Sequence, residues 1–180
     1  MVDMSSFREV SPYELEGNFI KEIGKDWMLV SAAADEGERF GGDYNTMTAS
    51  WGGAGVLWNK PVAFVFIRPE RHTYSFAEDS EYMTLSFFGG EKREELTLCG
   101  RTSGREVDKA KECGFTPVFA EAEGGRHVYF EEAEKVLLLR KMYAAPLDTG
   151  AFCDTMPLEF YRTDGMHKMY VCEIVKALVK

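Results

Sequence analysis

The chain has 180 residues, enough for one domain with a substantial core and cramped for two, so residues 1–180 are read as a single domain. Its 45% hydrophobic and 13% aromatic content excludes a disordered or low-complexity chain. A formal net charge of -9 with no polybasic run argues against general affinity for the backbone of nucleic acids.

The start, Met-Val-Asp-Met-Ser-Ser, lacks the basic and apolar stretches of a secretory signal, and the longest clear apolar run is only Val62 to Ile67. A soluble cytoplasmic protein with no membrane association is expected. Ser11-Pro12-Tyr13-Glu14 reads as the start of a short helix, with Ser11 as N-cap and Glu14 placed for a capping box. Trp27 to Ala33 is the first strand candidate, and Asp35 to Asp43 reads as a loop.

Residues 44 to 51 carry the strongest local signal. Period-two alternation sets Thr46, Thr48 and Ser50 on one face and Met47, Ala49 and Trp51 on the other. Small hydroxyls in a row suit a flat polar ring lying on the strand; a threonine-rich, half-exposed edge strand would show the same pattern. Gly52-Gly53-Ala54-Gly55 then reads as a flexible connection. Val62 to Ile67, apolar on both faces and bracketed by Pro61 and Pro69, predicts a central strand, and Glu81 to Phe88 another.

Helical periodicity follows over Glu91 to Leu98 and Glu106 to Cys113, the latter ending before a capping Gly114. His127 to Phe130, Lys135 to Ala144 and His167 to Val175 complete the strands, with Thr163-Asp164-Gly165 as a turn before the last. The connections are too brief for repeated parallel crossovers, so a closed or partly closed antiparallel barrel is expected.

Arg68, Arg71 and His72 gather at the end of the central strand, before a Thr73 placed to cap a short helix. They read either as an anion site or as surface residues paired with Glu70 and Glu78. Ser103-Gly104-Arg105, with Lys109 one turn on, is a weaker anion-compatible helix start, and an ordinary solvated helix face accounts for it more simply. His72, His127 and His167 lack metal-ligand or triad spacing, and no Rossmann or P-loop glycine pattern is present. Cys99, Cys113, Cys153 and Cys172 form no Cys-x-x-Cys pair and are read as reduced thiols, a disulfide between two of them being left open by spacing.

Asn45 to Trp51, Leu57-Trp58-Asn59-Lys60-Pro61 and Phe66-Ile67-Arg68-Pro69 together resemble the flavin reductase-like family of FMN-binding split barrels, especially its flavoredoxin-like branch. Leu85 to Phe88, Cys99 to Arg105 and His167 to Val171 extend the resemblance over most of the chain. It implies a mainly β fold, a six-stranded antiparallel Greek-key split barrel with short peripheral helices. It also implies a homodimer, with FMN in a groove near the subunit interface.

By the same resemblance, Asn45, Thr46, Met47, Thr48, Ala49, Ser50 and Trp51 line the flavin, with Thr48 and Ser50 as the principal hydroxyl contacts and Trp27 near the ring. Arg68 and Thr73 are expected near the phosphate, as are Ser103, Arg105 and Lys109 on weaker grounds. Phe160 and His167 approach the flavin or an incoming nicotinamide. Many relatives carry Gly-Asp-His before the last strand and a glycine within it, whereas this chain has Asp164-Gly165-Met166-His167 and Cys172.

The implied activity is hydride transfer from NADH or NADPH to FMN, with the chemistry carried by the flavin rather than a catalytic side chain and with no metal. An electron-transfer flavoprotein with resident FMN and a protein electron acceptor is the alternative, and a non-enzymatic flavin-binding module a third reading.

Overall fold

The computed structural model describes residues 6–34 and 43–180. The predicted loop from Asp35 to Asp43 therefore falls, except for its last residue, outside the described residues. The fold is mainly β and antiparallel, with a few short helices. Its strands in chain order are β1 (Arg8–Val10), β2 (Met28–Ala33), β3 (Tyr44–Ala49), β4 (Gly52–Leu57), β5 (Lys60–Ile67), β6 (Tyr82–Phe87), β7 (Pro117–Ala122), β8 (Gly125–Phe130), β9 (Lys135–Pro146) and β10 (Lys168–Val179). Between them lie α1 (Phe19–Lys21), α2 (His72–Asp79), α3 (Arg93–Arg101) and α4 (Lys109–Cys113). Among the described residues no helix is long and apolar enough to cross a membrane.

The main sheet runs β3-β2-β6-β9-β10-β5-β4, with β1 added on β10, so it has eight strands where six were expected. Two come from segments whose sequence gives little strand signal. The first is the three-residue β1, and the second is the glycine-rich stretch after Trp51, which is no flexible connection but the edge strand β4. It pairs in register from Gly52↔Val65 to Leu57↔Lys60. Trp58 and Asn59, both at positive φ, make the two-residue turn that closes this hairpin with the handedness strand twist favours. A separate hairpin, β7 with β8, packs outside the sheet.

The path of hydrogen bonds ends on β3 and β4, yet only Ser50 and Trp51 separate those strands in the chain. Three residues of extended chain reach at most about 11 Å. The sheet must therefore curl until its two ends nearly meet, and Ser50 and Trp51 lie in the seam.

The two faces of the curled sheet have different cores. Inside it, Met28, Val30, Met47, Ala49, Val65, Ile67, Leu85, Leu139 and Tyr170 form one cluster. Outside β2, β6 and β9, Leu29, Leu138 and Val136 meet Leu96 and Cys99 of α3, Ala110 of α4 and the ring of Phe130. The alternation predicted for β3 holds, with Met47 and Ala49 facing inward. In β6, Met83, Leu85 and Phe87 face the inner core, and Thr84 on the opposite face donates its hydroxyl to the Val128 carbonyl.

Candidate functional site

Among the described residues β3 stands at the end of the sheet, and one edge of its backbone has no strand partner there. Three hollows adjoin it. The first, about 210 Å³, is lined by Met47 to Trp51 together with Phe66, Arg68, Arg71 and His167. A second, about 310 Å³, continues along Tyr44 to Thr46 under residues 104–110. A third, about 240 Å³, lies between Thr48, Ser50, Trp27 and the α3 residues Leu96, Thr97, Gly100 and Arg101. Singly they lie below or at the lower end of the several hundred Å³ (~300 to 1,000 Å³) usual for such sites, but the three share one strand and jointly fall well within it.

Of the predicted hydroxyl row, Thr46 is occupied internally, meeting Ser31 Oγ at 2.8 Å across the β2–β3 pair. Thr48 donates to the Leu96 carbonyl of α3 at 2.5 Å and so anchors that helix over β3. Asn45 donates to Thr73 Oγ1 at 2.8 Å, which ties β3 to α2 and leaves Thr73 fully buried. Gly104 is required beside it, because a Cβ there would sit 2.0 Å from Asn45 Oδ1. Thr73 does not cap α2; the helix starts at His72, with Arg71 in the N-cap position and no side-chain cap.

The arginines pair with neither Glu70 nor Glu78. Arg68 donates to the carbonyls of Phe160 (2.8 Å) and Gly165 (3.2 Å), approaches Asp164 at 3.6 Å and stacks 5.2 Å over Tyr161. It thereby holds the two-turn 3-10 segment Met156–Tyr161 beside the first hollow, which Phe160 meets through Trp51. There Trp51 meets Phe160 edge-on at 5.2 Å and His167 at 5.1 Å, and His167 Nδ1 lies 2.9 Å from the Tyr161 hydroxyl. Burial, then the charge of Arg68, pushes His167 down to about 4, so the imidazole is neutral at pH 7.

Arg71 and Lys109 are arranged differently. Lys109 is only 5% exposed, and its Nζ donates to the Thr46 carbonyl at 2.8 Å and the Cys99 carbonyl at 2.9 Å. Arg71 donates to the same Cys99 carbonyl at 3.4 Å. Among the described residues neither cation forms an ion pair. Burial first, and the neighbouring Arg71 second, push Lys109 down to about 8. Two sequestered like charges without a carboxylate make a place that an anion would relieve.

The predicted start of the helix at Glu106, just after Ser103-Gly104-Arg105, is corrected. Residues 103–107 form a turn in which Ser103 Oγ accepts from the Arg105 N–H, and α4 begins only at Lys109. The physical reason is Asp108, whose carboxylate accepts from the Lys111 N–H and so caps the helix. Gly114 ends α4 in the left-handed conformation, as the sequence predicts. Ser103 lies outside the three hollows, while Arg105 and Lys109 line the second.

Trp27 lies in the third hollow, at φ 70°, under the Arg93 guanidinium 3.4 Å from its ring centre. Phe160 and His167 both stand at the first hollow's rim, through Trp51. Sequence reasoning missed the α3 side of the groove, Leu96, Thr97 and Arg101, and also Tyr161. Their only signal was amphipathic periodicity or an aromatic in a loop.

A family model described as flavin reductase like domain matches residues 21–180. The chain belongs to that family. The flavin reductase-like fold is seen also in solved structures at low identity. Flavoredoxin from Methanosarcina acetivorans is 18% identical with a TM-score of 0.63, the match covering 86% of this chain and 68% of that one. An FMN-binding domain of a flavin reductases-like enzyme from Shewanella baltica is 15% identical with a TM-score of 0.65, covering 96% and 76%. An NADH:FAD oxidoreductase from Streptomyces globisporus is 12% identical with a TM-score of 0.60, covering 86% and 75%. No curated protein matches the chain.

Proposed function

We propose that the groove along β3 binds FMN and that the protein is an oxidoreductase taking hydride from NADH or NADPH. The observation that carries this reading is the pair Arg71 and Lys109, sequestered on one carbonyl without a carboxylate, in a chain of net charge -9. A phosphate monoester supplies the missing countercharge. Arg105, lining the same hollow as Lys109, adds a third cation. Arg68 is committed to the 160–165 segment, so its part is to hold the wall of the groove.

The open edge of β3 offers backbone groups to a planar ring. Trp51, Phe66 and His167 give the first hollow an aromatic wall against which such a ring can lie. When bound, FMN supplies the hydride and electron chemistry itself, which no side chain here needs to perform. Neutral His167, oriented by Tyr161, offers a ring N–H or lone pair at that wall without adding charge. Asn45 and Gly104 keep the cation-bearing loop close to the strand.

A homodimer completes the reading. Phe64, Val171 and Tyr143 stand in one register row, the same face as Phe66 and Arg68, and Tyr143 is 47% exposed. A second copy on that face would wall the first hollow; sedimentation at a monomer's mass, with and without FMN, would contradict it.

The activity is tested by loading the protein with FMN and adding NADH or NADPH without oxygen. Loss of the flavin's long-wavelength absorption is expected. An FMN-loaded protein that neither nicotinamide bleaches is instead an electron carrier serving a protein partner, or a binding module.

A further inference from the structure

Cys99 and Cys113 play no part in the proposed flavin chemistry, yet their sulfurs are 3.6 Å apart. Cys99 is buried on α3, one residue before the glycine that faces Thr48. Cys113 is the last residue of α4, half-buried, with its Sγ also 3.5 Å from the Glu95 carbonyl. Among the described residues no other two cysteines touch: Cys153 is exposed and Cys172 is sealed in the inner core. A disulfide needs S–S near 2.05 Å, so the sulfurs must close by roughly 1.5 Å. At Gly114, just past the end of α4, nothing among the described residues lies within 4 Å of where a Cβ would be.

We propose that Cys99 and Cys113 are a redox-active dithiol that closes to a disulfide under a hydroperoxide, locking α3 to α4. The half-exposed Cys113 reacts first. Its thiolate attacks one peroxide oxygen, the O–O bond breaks, and the leaving oxygen takes the thiol's proton and departs as water, or as an alcohol from an organic peroxide. Cys113 is then a sulfenic acid. The Cys99 sulfur attacks it, the S–S bond forms, the S–O bond breaks, and the hydroxyl leaves as water with the Cys99 proton. Two thiols thus lose two electrons and two protons, and the peroxide is reduced.

The consequence is local to the cation pair. The segment between the two cysteines contains Ser103, Gly104, Arg105 and Lys109, and the Cys99 carbonyl is the acceptor that Lys109 and Arg71 share. The disulfide therefore ties both ends of the loop that roofs the second hollow. Burial pushes the Cys99 thiol up to about 12 and raises Cys113 as well. Lys109 favours both thiolates and Arg71 that of Cys99, while Glu95 and Glu112 oppose that of Cys113. The reaction is accordingly slow at neutral pH and faster at mildly alkaline pH.

The test uses the full chain carrying Cys153→Ser, which removes the exposed competitor, with no flavin added, so that its result is independent of the flavin reading. The folded protein is treated with hydrogen peroxide at mildly alkaline pH, quenched, unfolded, alkylated and digested without reductant. Mass spectrometry should find the Cys99 peptide joined to the Cys113 peptide, a product lost on reduction, with Cys172 still alkylated. In Cys113→Ser, Cys99 should stay fully alkylatable. Recovery of both cysteines as alkylated thiols, or of Cys113 as sulfinic acid beside an alkylated Cys99, would overturn the proposal.

Discussion

Lys109 is an ammonium held off its ordinary proton affinity by burial and by Arg71, and that makes it the sensitive residue of the site. Lys109→Met keeps most of the stem and removes the charge. Hydrogen bonds to charged groups contribute about 1.5 to 3 kcal/mol, so FMN affinity should fall roughly 10- to 100-fold by fluorescence titration. Below a pH of about 8 the ammonium is present and binding is strong; as pH rises through that value the free protein loses the proton and affinity should decline. The second phosphate ionisation, at about 6, is complete before this window and does not mimic it. An affinity independent of pH from 7 to 9 (roughly the span around that midpoint) would remove Lys109 from the phosphate site.

His167 makes an opposite-end prediction. Its folded value, about 4, lies below the 6.5 of the unfolded chain, so between those values the unfolded state binds the extra proton. Stability should therefore fall as pH drops from 6.5 towards 4, and His167→Gln should flatten that slope in thermal melts. The lowered carboxylates Glu70, Glu78 and Glu173 act only below their unfolded value of 4.5, and His127, also lowered, leaves a residual slope.

At the scale of elements, the junction of β3, α2 and the 103–107 turn depends on close approach. Gly104→Ala would drive a methyl into Asn45 Oδ1 and break the Asn45–Thr73 bond, so overpacking of about 1 to 3 kcal/mol is expected. The melting midpoint should drop and FMN affinity with it; an unchanged melt would mean that the turn yields freely. The same junction shows what the residues disclosed. The alternation of β3 was legible because one face is interior core and the other lies under α3, so the pleat and the burial agree. β4 was not, since its three glycines carry no period and its pairing is dictated by β5. The start of α4 was misplaced because Asp108, a helix-face residue by composition, captures an N–H as a cap.

For the whole molecule, strand composition and short connections sufficed for an antiparallel, mainly β chain, but not for the number of strands. Edge strands such as β1 and β4 are recruited by long neighbours, β10 and β5, and add little of their own. Arg68 shows why the site was harder still. Its sequence position marks it as an anion ligand, yet a segment more than ninety residues away claims its guanidinium and leaves the countercharge to Arg71 and Lys109. Curling brings β3, α2, α3 and the 156–167 segment around one seam, and a groove with an aromatic end and a cationic end results.

The most direct measurement compares FMN with riboflavin, which shares the ring and lacks the phosphate, by fluorescence titration at neutral pH and low salt. If Arg71 and Lys109 await a phosphate, FMN should bind at least about tenfold more tightly, and added salt should narrow the gap. Equal affinities for the two flavins, or none for either, would contradict the account.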